Sequence, residues 1–115
     1  MSDMKQNIAW DDFEKVDIRV GEIIDVQDFP EARKSAYKLL ISFGDSIGEK
    51  RSSAQITHLN KADLVGTQVA AVVNFPPKQI GPFISECLTL GFSNGEGGWT
   101  VVSPIKSVPL GGRLQ

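Results

Sequence analysis

The chain has 115 residues, 41% of them hydrophobic and 23% charged, with a formal net charge of −2. That size predicts one domain, residues 1–115, able to bury a core without disulfides or metal, and the composition excludes a disordered chain. Apolar runs fall short of the ~20 residues of a membrane span, and the opening "MSDMKQNIAW" lacks the apolar core of a signal peptide, so the expectation is a cytoplasmic protein without membrane insertion.

In chain order, "AWDDFEKV" predicts a short helix capped by Asp11 or Asp12. "VDIRVGEIIDVQDF" then alternates: Val16, Ile18 and Val20 share one face, Asp17 and Arg19 the other. Gly21 interrupts with a bulge or bend, and Ile24 and Val26 resume the first face. "FPEARKSAY" reads as a loop, and "YKLLISFG" as a strand with Tyr37, Leu39, Ile41 and Phe43 on one face. "GDSIGEK" has turn chemistry, and "KRSSAQI" is a short polar strand. "NKADLVG" predicts one or two helical turns capped by Asn60 and ended by Gly66. "TQVAAVVNF" is a strand with Val69, Ala71, Val73 and Phe75 on one face.

The next stretch, "NFPPKQIGPFISE", looks unsuited to helix or strand: Pro76 and Pro77 end the fourth strand and fix the backbone beside Lys78. "SECLTLGF" and "WTVVSP" are two further strands around the hairpin loop "NGEGG", and "IKSVPLGGRLQ" is an extended tail. Five or six short strands at this spacing suggest a sandwich or a barrel. One small helix between the third and fourth strands favours an all-β, five-stranded OB-fold Greek-key barrel with short helices and extended terminal elements. Such barrels bind oligonucleotides or oligosaccharides on one face.

Soft ligands are scarce. One cysteine, Cys87, and one histidine, His58, are too few for a closed zinc site, and no metal or cofactor is expected. Cys87 reads as a small buried residue of a strand and His58 as part of a turn or the start of a short helix. The serines lack a nucleophile-elbow setting, and the glycine turns match no phosphate-loop or dinucleotide pattern. No catalytic residue is assigned, and the chain is not expected to be an enzyme.

Charge is segregated along the chain. Nine acids and three bases leave residues 1–31 at −6, whereas nine bases and five acids leave residues 32–115 at +4. The polar candidates fall at strand ends and loops: Arg33, Lys34 and Lys38; Arg51, Ser52, Ser53 and Gln55; Asn74 and Lys78; Ser85 and Glu86. Lys and Arg neutralise phosphate, while Ser, Asn and Gln reach phosphate, sugar and base edges. Taken singly, each segment also fits a mixed solvated surface or a plain proline turn.

Five segments together resemble the tRNA-binding-domain family, and within it the CsaA-like branch. They are "DFEKVDIRVGEI", "PEARKSAYKLLISFG", "SSAQIT", "VAAVVNFPPKQIGPFISECLTLG" and "VPLGGRL", in the family's order from Asp12 to Leu114. The same domain is similar to C-terminal appendages of some methionyl-tRNA synthetases and to an N-terminal part of the phenylalanyl-tRNA synthetase beta subunit. The resemblance implies an OB-fold, a homodimer, and binding of tRNA by shape and backbone. It also implies chaperone-like binding of unfolded or pre-secretory polypeptide, linked to protein export. Carried over by position, the binding face comprises Arg33, Lys34, Lys38, Ser52, Ser53, Gln55, Asn74, Lys78, Ser85 and Glu86. Cys87 and Leu88 stand where many family members have the glycine and methionine of "S-x-G-M", which fits the CsaA-like branch.

Overall fold

The computed structural model describes residues 3–115; residues 1 and 2 of the polar opening lie outside the described residues. A short helix, α1 (Trp10–Glu14), precedes the longest strand, β1 (Ile18–Asp28). After it come β2 (Tyr37–Ser42), β3 (Glu49–Ala54), helix α2 (Lys61–Leu64) and β4 (Gln68–Val72). Five short strands complete the chain: β5 (Lys78–Ile80), β6 (Phe83–Ser85), β7 (Leu88–Thr89), β8 (Gly91–Ser93) and β9 (Trp99–Val101).

Five strands form an antiparallel sheet in the order β3-β2-β1-β4-β7, curled into a nearly closed OB-like barrel. The curl originates in β1, which serves two partners. Its first part, Ile18–Glu22, pairs with β4, and its second, Glu22–Asp28, pairs with β2. Gly21 lies where the strand crosses the interior: a Cβ there would stand 2.5 Å from Ile41 Cγ2 and 2.8 Å from Phe43 Cε1. The barrel closes between β3 and the residues around β7. Glu86 N–H donates to Arg51 O at 2.7 Å, and the Ser52 and Thr89 hydroxyls pair at 2.8 Å inside.

Period-2 alternation places the core. Tyr37, Leu39, Ile41 and Phe43 are all buried, as their spacing predicts, and pack with Ile23, Val26, Val69 and Ala71. α2 is capped by the Asn60 side chain, which accepts from Ala62 N–H at 2.8 Å, and it runs out at Gly66, whose φ is +92°.

Several elements depart from their expected form. In β1 the register slips between Ile23 and Asp25, so the bulge falls at Ile24 rather than Gly21. Ile23 therefore fills the core, and Ile24 turns outward at 37% exposure. Asp11 and Asp12 do not occupy the cap of α1. Ala9 does, and the Asp12 carboxylate accepts its N–H at 3.0 Å from the third helical position. β4 ends at Val72, which leaves Phe75 exposed instead of aligned with Val69. "SECLTLGF" is broken into pieces of β6, β7 and β8, because Glu86 turns aside to bond Arg51. The proline-rich stretch does make strands: β5 pairs with β6, Lys78 opposite Ser85 and Ile80 opposite Phe83. The described residues thus form nine strands, five in the expected barrel sheet and four in two added hairpins.

The tail is extended, as expected. It lies along the edge of β1 that β2 leaves free, with Gly111 N–H donating to Val20 O at 2.9 Å and Leu114 N–H to Ile18 O at 2.9 Å.

Candidate nucleic-acid interface

The outward faces of β2 and β3 carry the polar half of each alternating pattern. On β3, Ser52 and Ala54 point inward, while Arg51 and Ser53 point outward. Lys38, Leu40 and Ser42 are the outward residues of β2, and Lys38 lies directly opposite Ser53 on one side and Gln27 of β1 on the other. Two connections flank this face: the loop 29–36 between β1 and β2, and the β5–β6 hairpin between β4 and β7.

A small apolar cluster ties these two connections together. Phe29 and Ala36 from the loop pack with Phe83 from the hairpin, against Ala32 and Ile80. The Phe29 and Phe83 rings lie 5.3 Å apart at 58°. Each ring carries a cation. Lys38 Nζ is 5.8 Å from the Phe29 centroid, and Arg51 Cζ is 5.9 Å from the Phe83 centroid. A groove of about 240 Å³ runs beside them, lined by Asp25, Gln27, Lys38, Leu40, Arg51 and Phe83.

Glu86 holds Arg51 in place. Its carboxylate accepts from Arg51 N–H at 2.9 Å and from Arg51 Nε at 3.2 Å. The backbone donor is the main reason its pKa lies below the ordinary carboxylate value, with the Arg51 guanidinium and the nearby Lys50 adding to it against partial desolvation. Arg51 therefore keeps its charge directed along the groove at little entropic cost.

Of the residues singled out in the sequence, Lys38, Arg51 and Ser53 share this face. Arg33 and Lys34 are exposed on the flanking loop, and Lys78 is exposed on the hairpin opposite Ser85. The Ser85 hydroxyl is engaged with Cys87 O at 3.1 Å. Gln55 opens into a separate polar pocket with Lys34. Three others have structural partners. Ser52 is fully buried against Thr89. Glu86 is the clamp on Arg51. Asn74 accepts from Asp17 N–H at 3.0 Å and donates to Lys15 O at 2.7 Å, bracing the entry to β1. Sequence reasoning passed over Gln27 and Phe29. An aromatic next to a basic loop, in "DFPEARK", was the available signal for the latter.

A second, more apolar cavity of about 420 Å³ lies beside the hairpin, lined by Phe75, Pro76, Pro77, Lys78, Cys87 and Leu88. Cys87 is 5% exposed, and burial pushes its thiol up to about 11. No helix of the described residues is long and apolar enough to cross a membrane.

Residues 18–113 match the family model described as "Putative tRNA binding domain". The chain belongs to the tRNA-binding-domain family. Among relatives in this family, methionine–tRNA ligase of Parabacteroides distasonis is 34% identical over 115 aligned residues. That match covers 97% of this chain and only 16% of the ligase. Among solved structures, a CsaA chaperone protein from Picrophilus torridus superposes with a TM-score of 0.89 at 52% identity, covering 95% of this chain and all of that one. A chaperone CsaA from Bacillus anthracis superposes with a TM-score of 0.89 at 40% identity, covering 96% of this chain and all of that one. The CsaA-like resemblance read from the sequence is borne out.

Proposed function

We propose that this chain is a non-catalytic, cytoplasmic tRNA-binding protein that acts as one domain and grips the RNA by its shape and backbone. The observation that carries this reading is the Lys38–Phe29–Phe83–Arg51 array on the outside of β2 and β3, set between the 29–36 loop and the β5–β6 hairpin. An OB-fold binds oligonucleotides on this face and with these two connections. The cations neutralise phosphate, and rings held by packing limit the ordering cost of binding. Lys34 and Arg33 on one flank and Lys78 on the other extend the positive track beyond the groove. Family membership and the tRNA ligase relatives support tRNA as the RNA in question.

The working unit in this reading is a homodimer. Trp10 is 83% exposed and Ile105 fully so, and α1 buries none of its residues. An apolar cavity of about 370 Å³ lies near these segments, lined by Ile18, Val20, Val102, Pro104, Val108 and Leu114. A second copy placed here would cover these exposed apolar side chains.

A second reading, binding of unfolded or pre-secretory polypeptide, draws on the cavity beside the hairpin, where Phe75 and Leu88 are about half exposed. The CsaA neighbours are described as chaperones, which favours it further. Salt separates the two ligands. Titrating the protein with bulk tRNA and with an apolar unfolded polypeptide across a salt series should show steep weakening for tRNA through counterion release. Polypeptide binding should hold or strengthen under salting-out conditions. Absence of tRNA binding at low salt would overturn the first reading.

A further inference from the structure

A polar pocket of about 630 Å³ opens where the 29–36 loop meets the end of β3, lined by Lys34, Gln55, Thr57, His58, Asn94 and Glu96. Its wall is built. The Asn94 carboxamide oxygen accepts from Glu96 N–H at 2.8 Å and Gly98 N–H at 3.2 Å, which fixes the β8–β9 loop. Asn94 Nδ2 then stands 3.5 Å from His58 Nε2. Gly98 lets the imidazole lie against that loop, for a Cβ there would meet His58 Cε1 and Nδ1 at 2.8 Å. The ring is held from one side and His58 stays exposed.

The pocket and the groove lie along the same strand direction. Arg51 and Ser53 are the outward residues of β3, and Gln55 carries the same alternation one step past its end. At ~3.3 Å per residue, Gln55 lies about 13 Å along the strand from Arg51. An OB-fold accommodates ~4–16 nucleotides, so a strand crossing the groove reaches this pocket. The lining chemistry is amide, hydroxyl, imidazole and ammonium, with the one carboxylate, Glu96, on the β8–β9 loop. It suits a base edge and a phosphate and offers little to an apolar side chain.

We propose that this pocket receives one unpaired nucleotide of the RNA, its base against the His58 ring and its phosphate near Lys34. The inference rests on the tRNA-binding reading and deepens it, since it requires a single-stranded element in the ligand. Stacking on a ring tolerates any base, which is compatible with recognition without sequence readout.

The test is an anisotropy titration of the parent, His58→Ala and His58→Phe with bulk tRNA, single-stranded RNA and a fully paired RNA duplex. His58→Ala should weaken tRNA and single-stranded RNA about tenfold, with the duplex affinity and the salt slope unchanged. His58→Phe, which keeps a stacking surface, should recover most of the loss. Parental affinity of His58→Ala for tRNA, or an equal loss on duplex and tRNA, overturns this inference while leaving the tRNA-binding reading standing. A parent protein that binds no tRNA overturns both.

Discussion

Arg51 and Ser52 are neighbours on β3 with opposite surroundings, one facing solvent and one sealed inside. Ser52→Ala strands the buried Thr89 hydroxyl and should cost about 1–3 kcal/mol in urea unfolding, with tRNA affinity at the parent level. Glu86 gives a pH signature. Its folded pKa is depressed, so its contribution to stability is present above its ordinary value of 4.5 and is lost as the pH falls through the lower folded value. The urea midpoint of the parent should therefore drop more steeply than that of Glu86→Gln as the pH falls from 4.5 through the lower folded value. For Cys87, a thiol raised to about 11 stays protonated at neutral pH, so thiol reagents should react with it only once the protein is unfolded. Rapid labelling of the native protein would contradict that placement.

The β5–β6 hairpin is the element on which the groove depends, because Phe83 supplies half of the aromatic pair. Replacing Pro76 and Pro77 with glycine should weaken tRNA binding through loop entropy and leave the salt slope unchanged. Lys78→Glu should weaken binding and reduce the slope by about 1 per site, without unfolding the protein. Filter binding at several salt concentrations distinguishes the two outcomes. Which elements could be read from sequence follows from the same physics. β2 was legible because one face is buried along its whole length, and α2 because Asn60 and Gly66 mark both ends. The bulge in β1 was not, since Ile23 and Ile24 are adjacent and either satisfies the core. The break after β6 was hidden because "SECLTLGF" is apolar enough to pass for one strand, and only the bond to Arg51 divides it. The hairpin was obscured by its prolines, although pairing begins just past them, at Lys78, where backbone donors return. In the candidate site the charges were legible as clusters. The Phe29–Phe83 contact joins residues far apart in sequence and left no local trace.

For the whole molecule, a net charge of −2 conceals a basic track borne by residues beyond position 31. Sedimentation should give twice the 12.5 kDa chain mass. Deleting residues 108–115 removes the reciprocal bonds between Gln68 and Val108 and the pairing of the tail with β1, so the truncated protein should be unstable or monomeric. A monomeric full-length protein with tRNA affinity intact would count against the dimer. The central claim is that RNA backbone crosses the groove over Lys38, and Lys38 is suited to test it because it sits on the groove face and forms no ion pair among the described residues. The measurement is the affinity for bulk tRNA of the parent and of Lys38→Ala across a series of salt concentrations. Log affinity of the parent should fall linearly with log salt, and Lys38→Ala should bind more weakly with a slope shallower by about 1 per site. A parent affinity indifferent to salt, or a Lys38→Ala protein that matches the parent at every concentration, would contradict it.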